Sequence, residues 1–136
     1  MVLSKLHGTT VISTELTHSR IKKLAAKIGV SDDIVSRLAL GVSIREGSVS
    51  DDWEPSKFKG ETILEGVSTG KALRGKTLFK NELALWMVLL SNVEGKMNSI
   101  EVARSKFLLH WERGVEIISK EDGGDDWIIL ISNLFA

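Results

Sequence analysis

The side chains of this sequence that could do chemistry are mainly basic, and they occur in two blocks. Residues 1–30 carry five Lys or Arg against one Glu, and residues 56–80 carry six against two, so each block has a net charge of +4 in a chain whose total is zero. Residues 31–55 and 81–136 each have a net charge of −4. Basic residues concentrated in this way are typical of proteins that bind a polyanion. A solvated surface with ordinary solubilising lysines is the alternative interpretation.

Ten basic residues are the predicted polyanion contacts. Three of them, Arg20, Lys23 and Lys27, fall within about 60° of one another at about 100° per helical residue, and so form a basic stripe. Lysine stems that cover the edge of an apolar face are the alternative for this stripe. Arg37 lies between the blocks and could reach a phosphate, although a surface or ion-pair role is the simpler interpretation. The full set is Arg20, Lys23, Lys27, Arg37, Lys57, Lys59, Lys71, Arg74, Lys76 and Lys80.

Side chains suited to catalysis or metal binding are few. The chain has no Cys, which excludes disulfides, thiolate-bound metals and a persulfide on this chain. His7, His18 and His110 lack the i, i+4 spacing that places two ligands on one helical face, and no glycine motif for nucleotide phosphates is present. We therefore expect no metal, no cofactor and no catalytic residue.

Apolar spacing predicts a single, mainly helical domain over residues 1–136. The apolar residues Ile21, Leu24, Ala25 and Ile28 lie at positions i, i+3, i+4 and i+7 of a predicted helix. Gly29 is expected to end that helix. Ser31 is expected to cap a second helix over about 32–46, with Asp32 and Asp33 in the first turn, where the helix dipole favours negative charge. This second helix has apolar residues on more than one side, so we expect it to be central.

Residues 47–80 contain five glycines and the only proline, and predict short extended pieces around "ETILEG" and "GKTLF". We expect Asn81 to cap a third helix, "ELALWMVLLSN", and Ser99 to begin a fourth. The third helix is apolar nearly all round, so the part around Trp86 either lies in a subunit interface or is buried within the monomer. The end, "DDWIILISNLF", favours a short helix, with a strand as the alternative.

The apolar run from Leu83 to Leu90 is far shorter than the roughly 20 residues of a membrane span, and the N-terminus lacks the pattern of a secretory leader. We therefore expect a cytoplasmic protein with no membrane partner.

Three stretches of the sequence, taken in their order along the chain, resemble a known protein family. "ISTELTHSRIKKLAAKIGVSDDIVSRLALGVSIREG", "ALRGKTLFKNELALWMVLL" and "HWERGVEIIS" are together similar to the DndE family of bacterial DNA phosphorothioation (sulfur modification) proteins, over roughly residues 10–120. One departure is Lys80, which stands after Phe79 where a glycine would be expected.

The resemblance implies a small, mainly helical, ribbon-helix-helix-like protein that forms a homo-oligomer, with a tetramer expected. It implies nonenzymatic binding to DNA, especially nicked duplex, and work beside the sulfur-transfer and ATPase subunits of the phosphorothioation machinery. The basic residues carried over by position are Arg20, Lys23, Lys27, Arg74, Lys76 and Lys80.

Two other functions remain open. A ribbon-helix-helix transcriptional regulator would read bases from a paired N-terminal strand, for which "TTVISTE" offers no Arg, Lys, Asn or Gln. A DNA-nicking enzyme would bring His18, His110 and acidic residues together around a metal ion.

Overall fold

Seven helices and a two-stranded sheet make up the part of the chain that the computed structural model describes, residues 2–121 and 127–134. The expected fold class, a small and mainly helical domain, is confirmed. The elements in chain order are α1 (Val2–His7), β1 (Thr10–Ile12), α2 (Glu15–Ile28), α3 (Asp32–Glu46), β2 (Ala72–Arg74), α4 (Gly75–Phe79), α5 (Leu83–Glu94), α6 (Ile100–Glu121) and α7 (Trp127–Leu134).

The end of α2 and the start of α3 follow from their capping residues, as predicted. Gly29 adopts the left-handed conformation (φ 80°) after α2, and its N–H donates to the carbonyl of Ala25. The Ser31 hydroxyl oxygen accepts the N–H of Ile34 at 3.3 Å and starts α3. Similarly, Ser99 Oγ accepts the N–H of Val102 at the start of α6, at 3.2 Å.

The core is built around α3 and α6. One face of α6 buries Phe107, Trp111 and Val115, at the helical spacing expected from the sequence. These residues pack in one cluster with Ala39 and Leu40 of α3. The central position predicted for the second helix is confirmed, because α3 contacts α2, α4, α5 and α6.

The sheet joins the N-terminal part of the chain to the end of the central segment. β1 pairs antiparallel with β2, with Thr10 opposite Arg74 and Ile12 opposite Ala72. The elements β1, α2 and α3 follow one another in the order strand, helix, helix, and β1 pairs with a strand of the same chain.

Three local predictions are corrected. "GKTLF" forms helix α4 instead of an extended piece, because a helical turn buries both Leu78 and Phe79. "ETILEG" contains no strand, and its backbone is held by side chains of α2, among them Ser19, whose hydroxyl oxygen accepts the N–H of Leu64 at 2.8 Å. Asn81 does not cap α5, because it lies in a turn closed by the hydrogen bond from Glu82 N–H to the Phe79 carbonyl at 2.8 Å.

Helix α5 is buried on one side only within the monomer. Met87 and Leu90 face the core, whereas Leu85 and Val88 are 56% and 58% exposed. Among the described residues, no helix is long and apolar enough to cross a membrane. The predicted last helix is present as α7, whereas the aspartates expected to precede it lie outside the described residues.

The packing of α6 against α3 requires glycine at position 114. A Cβ there would lie 1.8 Å from the carbonyl oxygen of Ala39, so Gly114→Ala must push the helices apart. We expect this change to lower the free energy of unfolding by about 3 kcal/mol. Gly41→Ala in α3 is the matched control, because its Cβ would meet only the Trp86 ring at 3.8 Å. The control should stabilise the helix by about 0.5–1 kcal/mol. Urea unfolding measures both, and an unchanged stability of the Gly114 variant would contradict the tight helix contact.

Candidate nucleic-acid interface

The two basic blocks meet in space at Asp32, the first residue of α3. Lys22 comes from α2 in the first block, and Lys71 precedes β2 in the second. Their ammonium nitrogens lie 2.6 and 3.1 Å from the same carboxylate oxygen, Asp32 Oδ2. Burial alone would raise the pKa of Asp32, but the hydrogen bonds from Lys22 and Lys71 lower it below its ordinary value. The carboxylate is therefore ionised at neutral pH and holds both ammonium groups.

Around this meeting point the first block contacts the central segment. Lys23 is exposed along α2, and its ammonium donates to the carbonyl of Thr62 at 2.6 Å. Lys27 is half-buried one turn further along the helix. Lys57 and Lys59 are exposed in the central segment. These positions agree with a surface shared by the two blocks.

A second basic surface surrounds α4. Arg74 and Lys76 are exposed, and Lys80 and Arg37 line a cavity of about 290 Å³ together with Phe79, Asn81 and Glu82. Lys80 has a positive φ of 49°, and its carbonyl is 2.9 Å from Nε2 of His7. A guanidinium beside an ammonium in a concave site suits the oxygens of a phosphate group.

Arg20 is the exception among the ten predicted residues, because the structure buries it. Its side chain is 1% exposed, and its guanidinium is bidentate on Glu61, with both N···O distances 2.9 Å. It also donates to Glu116 at 2.9 Å and to the carbonyl of Ser56 at 2.6 Å, and it lies 4.4 Å from the centre of the Phe58 ring. The basic stripe of α2 thus loses its first member, since Arg20 is fully used inside the molecule.

The charges around Arg20 are mutually stabilised. Burial opposes the charged guanidinium, but the hydrogen bonds to Glu61 and Glu116 outweigh it and raise the pKa of Arg20 further. The hydrogen bond from Arg20 in turn lowers the pKa of Glu61 below its ordinary value. Arg20 and Glu61 are therefore charged at neutral pH, and the hydrogen bond from Arg20 to Glu116 extends this network to α6.

A second polar network, which sequence reasoning missed, joins α3, α5 and α6. His110 is fully buried, with Nδ1 2.8 Å from the hydroxyl of Ser43 and Nε2 2.6 Å from Glu94. Burial lowers the pKa of His110, so its ring is neutral at pH 7. Nε2–H then donates to the Glu94 carboxylate, and Nδ1 accepts the Ser43 proton. Arg113 Nε–H completes the chain by donating to Ser43 Oγ at 2.9 Å.

This Ser–His–Glu chain has the residue types of a nucleophilic triad, but it lies in the interior of the molecule. Ser43 is fully buried and already accepts a hydrogen bond from Arg113, so its hydroxyl is closed to a substrate. Glu94 also accepts the N–H of Val49 at 2.9 Å and anchors the chain after α3. The sequence signal for such residues is a polar side chain on an otherwise apolar face of α6, next to Phe107 and Trp111.

The histidines of the nicking hypothesis have separate partners. His18 Nδ1 lies 2.8 Å from the carbonyl of Thr69, whereas His110 belongs to the chain described above. Over residues 2–121 and 127–134, no group of three or more His, Asp or Glu side chains could hold a metal ion.

The fold is shared with a solved structure. The chain is similar to DndE from Escherichia coli B7A, a protein described as involved in DNA phosphorothioation modification. The TM-score is 0.59 at 18% sequence identity, over 80% of this chain and 94% of that one. Comparisons with protein-family models and with curated proteins found no match. The similarity to DndE establishes a common fold.

The burial of Arg20 predicts a role in stability. Arg20→Lys keeps the charge but cannot make the bidentate contact, so we expect the free energy of unfolding to fall by on the order of 3 kcal/mol. Arg74→Lys is the matched control at an exposed position, and it should change stability by less than about 0.5 kcal/mol. Denaturant unfolding of both variants measures the difference. Equal stability of the two variants would show that the Arg20 network is not what holds the central segment.

Proposed function

We propose that this chain is a nonenzymatic, DNA-binding component of a bacterial DNA phosphorothioation system. The observation that carries the proposal is the fold shared with DndE over 94% of that chain. The sequence resemblance, which rests on motifs between about residues 10 and 120, points to the same family.

The distribution of charge supports DNA as the ligand. Exposed basic residues from both blocks occur around α2 and the central segment and again around α4, among them Lys23, Lys59, Arg74 and Lys76. Ammonium groups on a surface recognise the phosphate backbone, which carries no direct sequence information. The proposed binding is therefore electrostatic and largely independent of sequence.

The side chains of β1 favour binding to the DNA backbone over the alternative function, a transcriptional regulator that reads bases. β1 exposes the aliphatic side chain of Ile12, which offers no hydrogen bond to a base edge. Its backbone pairs on one side with β2, and on the other side Arg104 Nη2 donates to the Thr10 carbonyl at 2.8 Å. Contact with the DNA backbone is thus the better supported mode of binding.

Two finer parts of the proposal come from the family resemblance. We propose that nicked duplex is the preferred form of DNA, and that the partners are the sulfur-transfer and ATPase subunits of the phosphorothioation machinery. Phosphorothioate linkages counted by mass spectrometry, in a host with and without the gene, test the pathway. An unchanged count would overturn this assignment.

DNA affinity should depend on the lysines around α4. Replacing Lys76 and Lys80 by Ala should weaken binding to all duplexes alike. The slope of log affinity against log salt should flatten by up to about 2 per binding subunit, because each duplex phosphate contact contributes about −0.9. Fluorescence anisotropy with labelled intact, nicked and single-stranded DNA measures both quantities. A parallel variant with Lys23 and Lys27 replaced by Ala tests the stripe of α2 in the same way.

The matched control is the double change Lys96→Ala and Lys120→Ala, which removes two exposed charges from the acidic segment 81–136. It should leave the salt slope unchanged. If the control weakens DNA binding as much as the Lys76 and Lys80 variant does, affinity depends on the net charge of the protein alone, and the proposed surface is wrong.

We also propose that the protein is a homo-oligomer, with a tetramer expected from the resemblance, and that α5 contributes to the interface. The first half of its exposed side, with Leu85 and Val88, is apolar, and Trp86 packs inward against the core. The exposed pair is a better place to test the interface than Trp86, whose ring is 6.5 Å from that of Phe79.

Replacing both Leu85 and Val88 by Glu should dissociate the oligomer, because buried unpaired carboxylates oppose association. Light scattering at micromolar concentration gives the mass. Leu64→Glu, at an exposed aliphatic residue of the central segment, is the control and should keep the wild-type mass. A wild-type protein that is monomeric at this concentration would refute the oligomer.

A further inference from the structure

Asp32 lies where the two basic blocks come together, and one of its oxygens holds an ammonium group from each. Lys22 and Lys71 converge on Oδ2 from α2 and from the end of the central segment. A non-bridging phosphate oxygen accepts hydrogen bonds from two ammonium groups in the same way. The arrangement thus already has the geometry of a small anion site, with a carboxylate of the protein in the place of the anion.

We propose that Lys22 and Lys71 form a phosphate-diester site that Asp32 occupies until nucleic acid binds, so that Asp32 sets the DNA affinity as an internal competitor. The proposal rests on the proposed function, because it takes the DNA backbone as the competing anion. It adds Lys22, which the sequence analysis did not select, to the contacts.

The exposure of the three groups suits an exchange of anions. The Lys22 side chain is 45% exposed, and those of Lys71 and Asp32 remain partly open to solvent, at 19% and 18%. Ion pairs near the surface contribute little to stability, so exchanging the carboxylate for a phosphate carries a small penalty. The long, flexible lysine side chains can follow the phosphate as it displaces the carboxylate.

Asp33 provides a matched comparison within the same helical turn. It carries the same charge at the start of α3, but both lysines contact Asp32. If negative charge at the helix start weakened DNA binding only through the general field, neutralising either aspartate would have the same effect. Only neutralisation of Asp32 would release Lys22 and Lys71 from their carboxylate partner.

The experiment compares Asp32→Asn with Asp33→Asn in anisotropy titrations against a duplex of arbitrary sequence at several salt concentrations. We expect Asp32→Asn to bind more tightly than wild type, on the order of tenfold at low salt, with a similar salt slope, because Lys22 and Lys71 contact phosphate in both complexes. Asp33→Asn should change affinity less and leave the slope as in wild type. Adding Lys22→Ala and Lys71→Ala to Asp32→Asn should abolish the gain.

Two outcomes would overturn the proposal while leaving DNA binding itself in place. In the first, wild type binds duplex, and Asp32→Asn and Asp33→Asn bind it with the same affinity as each other. The other is a gain for Asp32→Asn that survives loss of both lysines. If neither wild type nor any variant binds duplex, the proposed function and this inference fail together. Melting temperatures confirm that the variants are folded, and Asp32→Ser, which also keeps a polar side chain at the start of the helix, replaces Asn if that variant unfolds.

Discussion

A buried guanidinium is the constraint on which much of this fold depends. Arg20 has almost no access to water, so its charge must be met by the protein. Glu61 comes from the irregular central segment and Glu116 from α6, and the carbonyl of Ser56 completes the set. Because Arg20 joins two points of this central segment to α6, the segment between α3 and β2 can be ordered without a strand or helix of its own.

Buried carboxylates repeat this role at other junctions. Glu112 of α6 accepts the N–H and the hydroxyl of Thr14 and the hydroxyl of Thr17, which fixes the start of α2. Glu94 of α5 accepts from Val49 and His110 and pairs with Lys106. Burial alone would raise the pKa of Glu94, but these hydrogen bonds lower it, so the group stays ionised. Charged residues thus join parts of the chain that are distant in sequence.

Helical structure could be read from the sequence because its causes are local. Ser31, Gly29 and the apolar spacing specify α2 and α3 within a few positions of one another. The burial of Arg20 could not be predicted in this way, because its acidic partners lie 41 and 96 positions away in the sequence. Its spacing on α2 also matches that of the lysines of the basic stripe, so the local sequence does not distinguish it from them. "GKTLF" was misassigned for a similar reason, since tertiary burial of Leu78 and Phe79 decides its conformation. Charge counts predicted the two basic blocks, whereas their meeting at Asp32 depends on the packing of α2 against the segment before β2.

The position of α6 after α2 and α3 in the sequence has a consequence for synthesis. The start of α2 depends on Glu112, and the partners of Arg20 include Glu116, so α2 emerges from the ribosome long before the residues that satisfy its buried polar groups. Contacts between residues so distant in sequence form late and slow folding. Until α6 has been made, α2 and α3 are an amphipathic pair with an unmet apolar side, the kind of exposed surface that chaperones bind. The newly made chain can therefore acquire the native packing of α2 only after α6 has emerged from the ribosome.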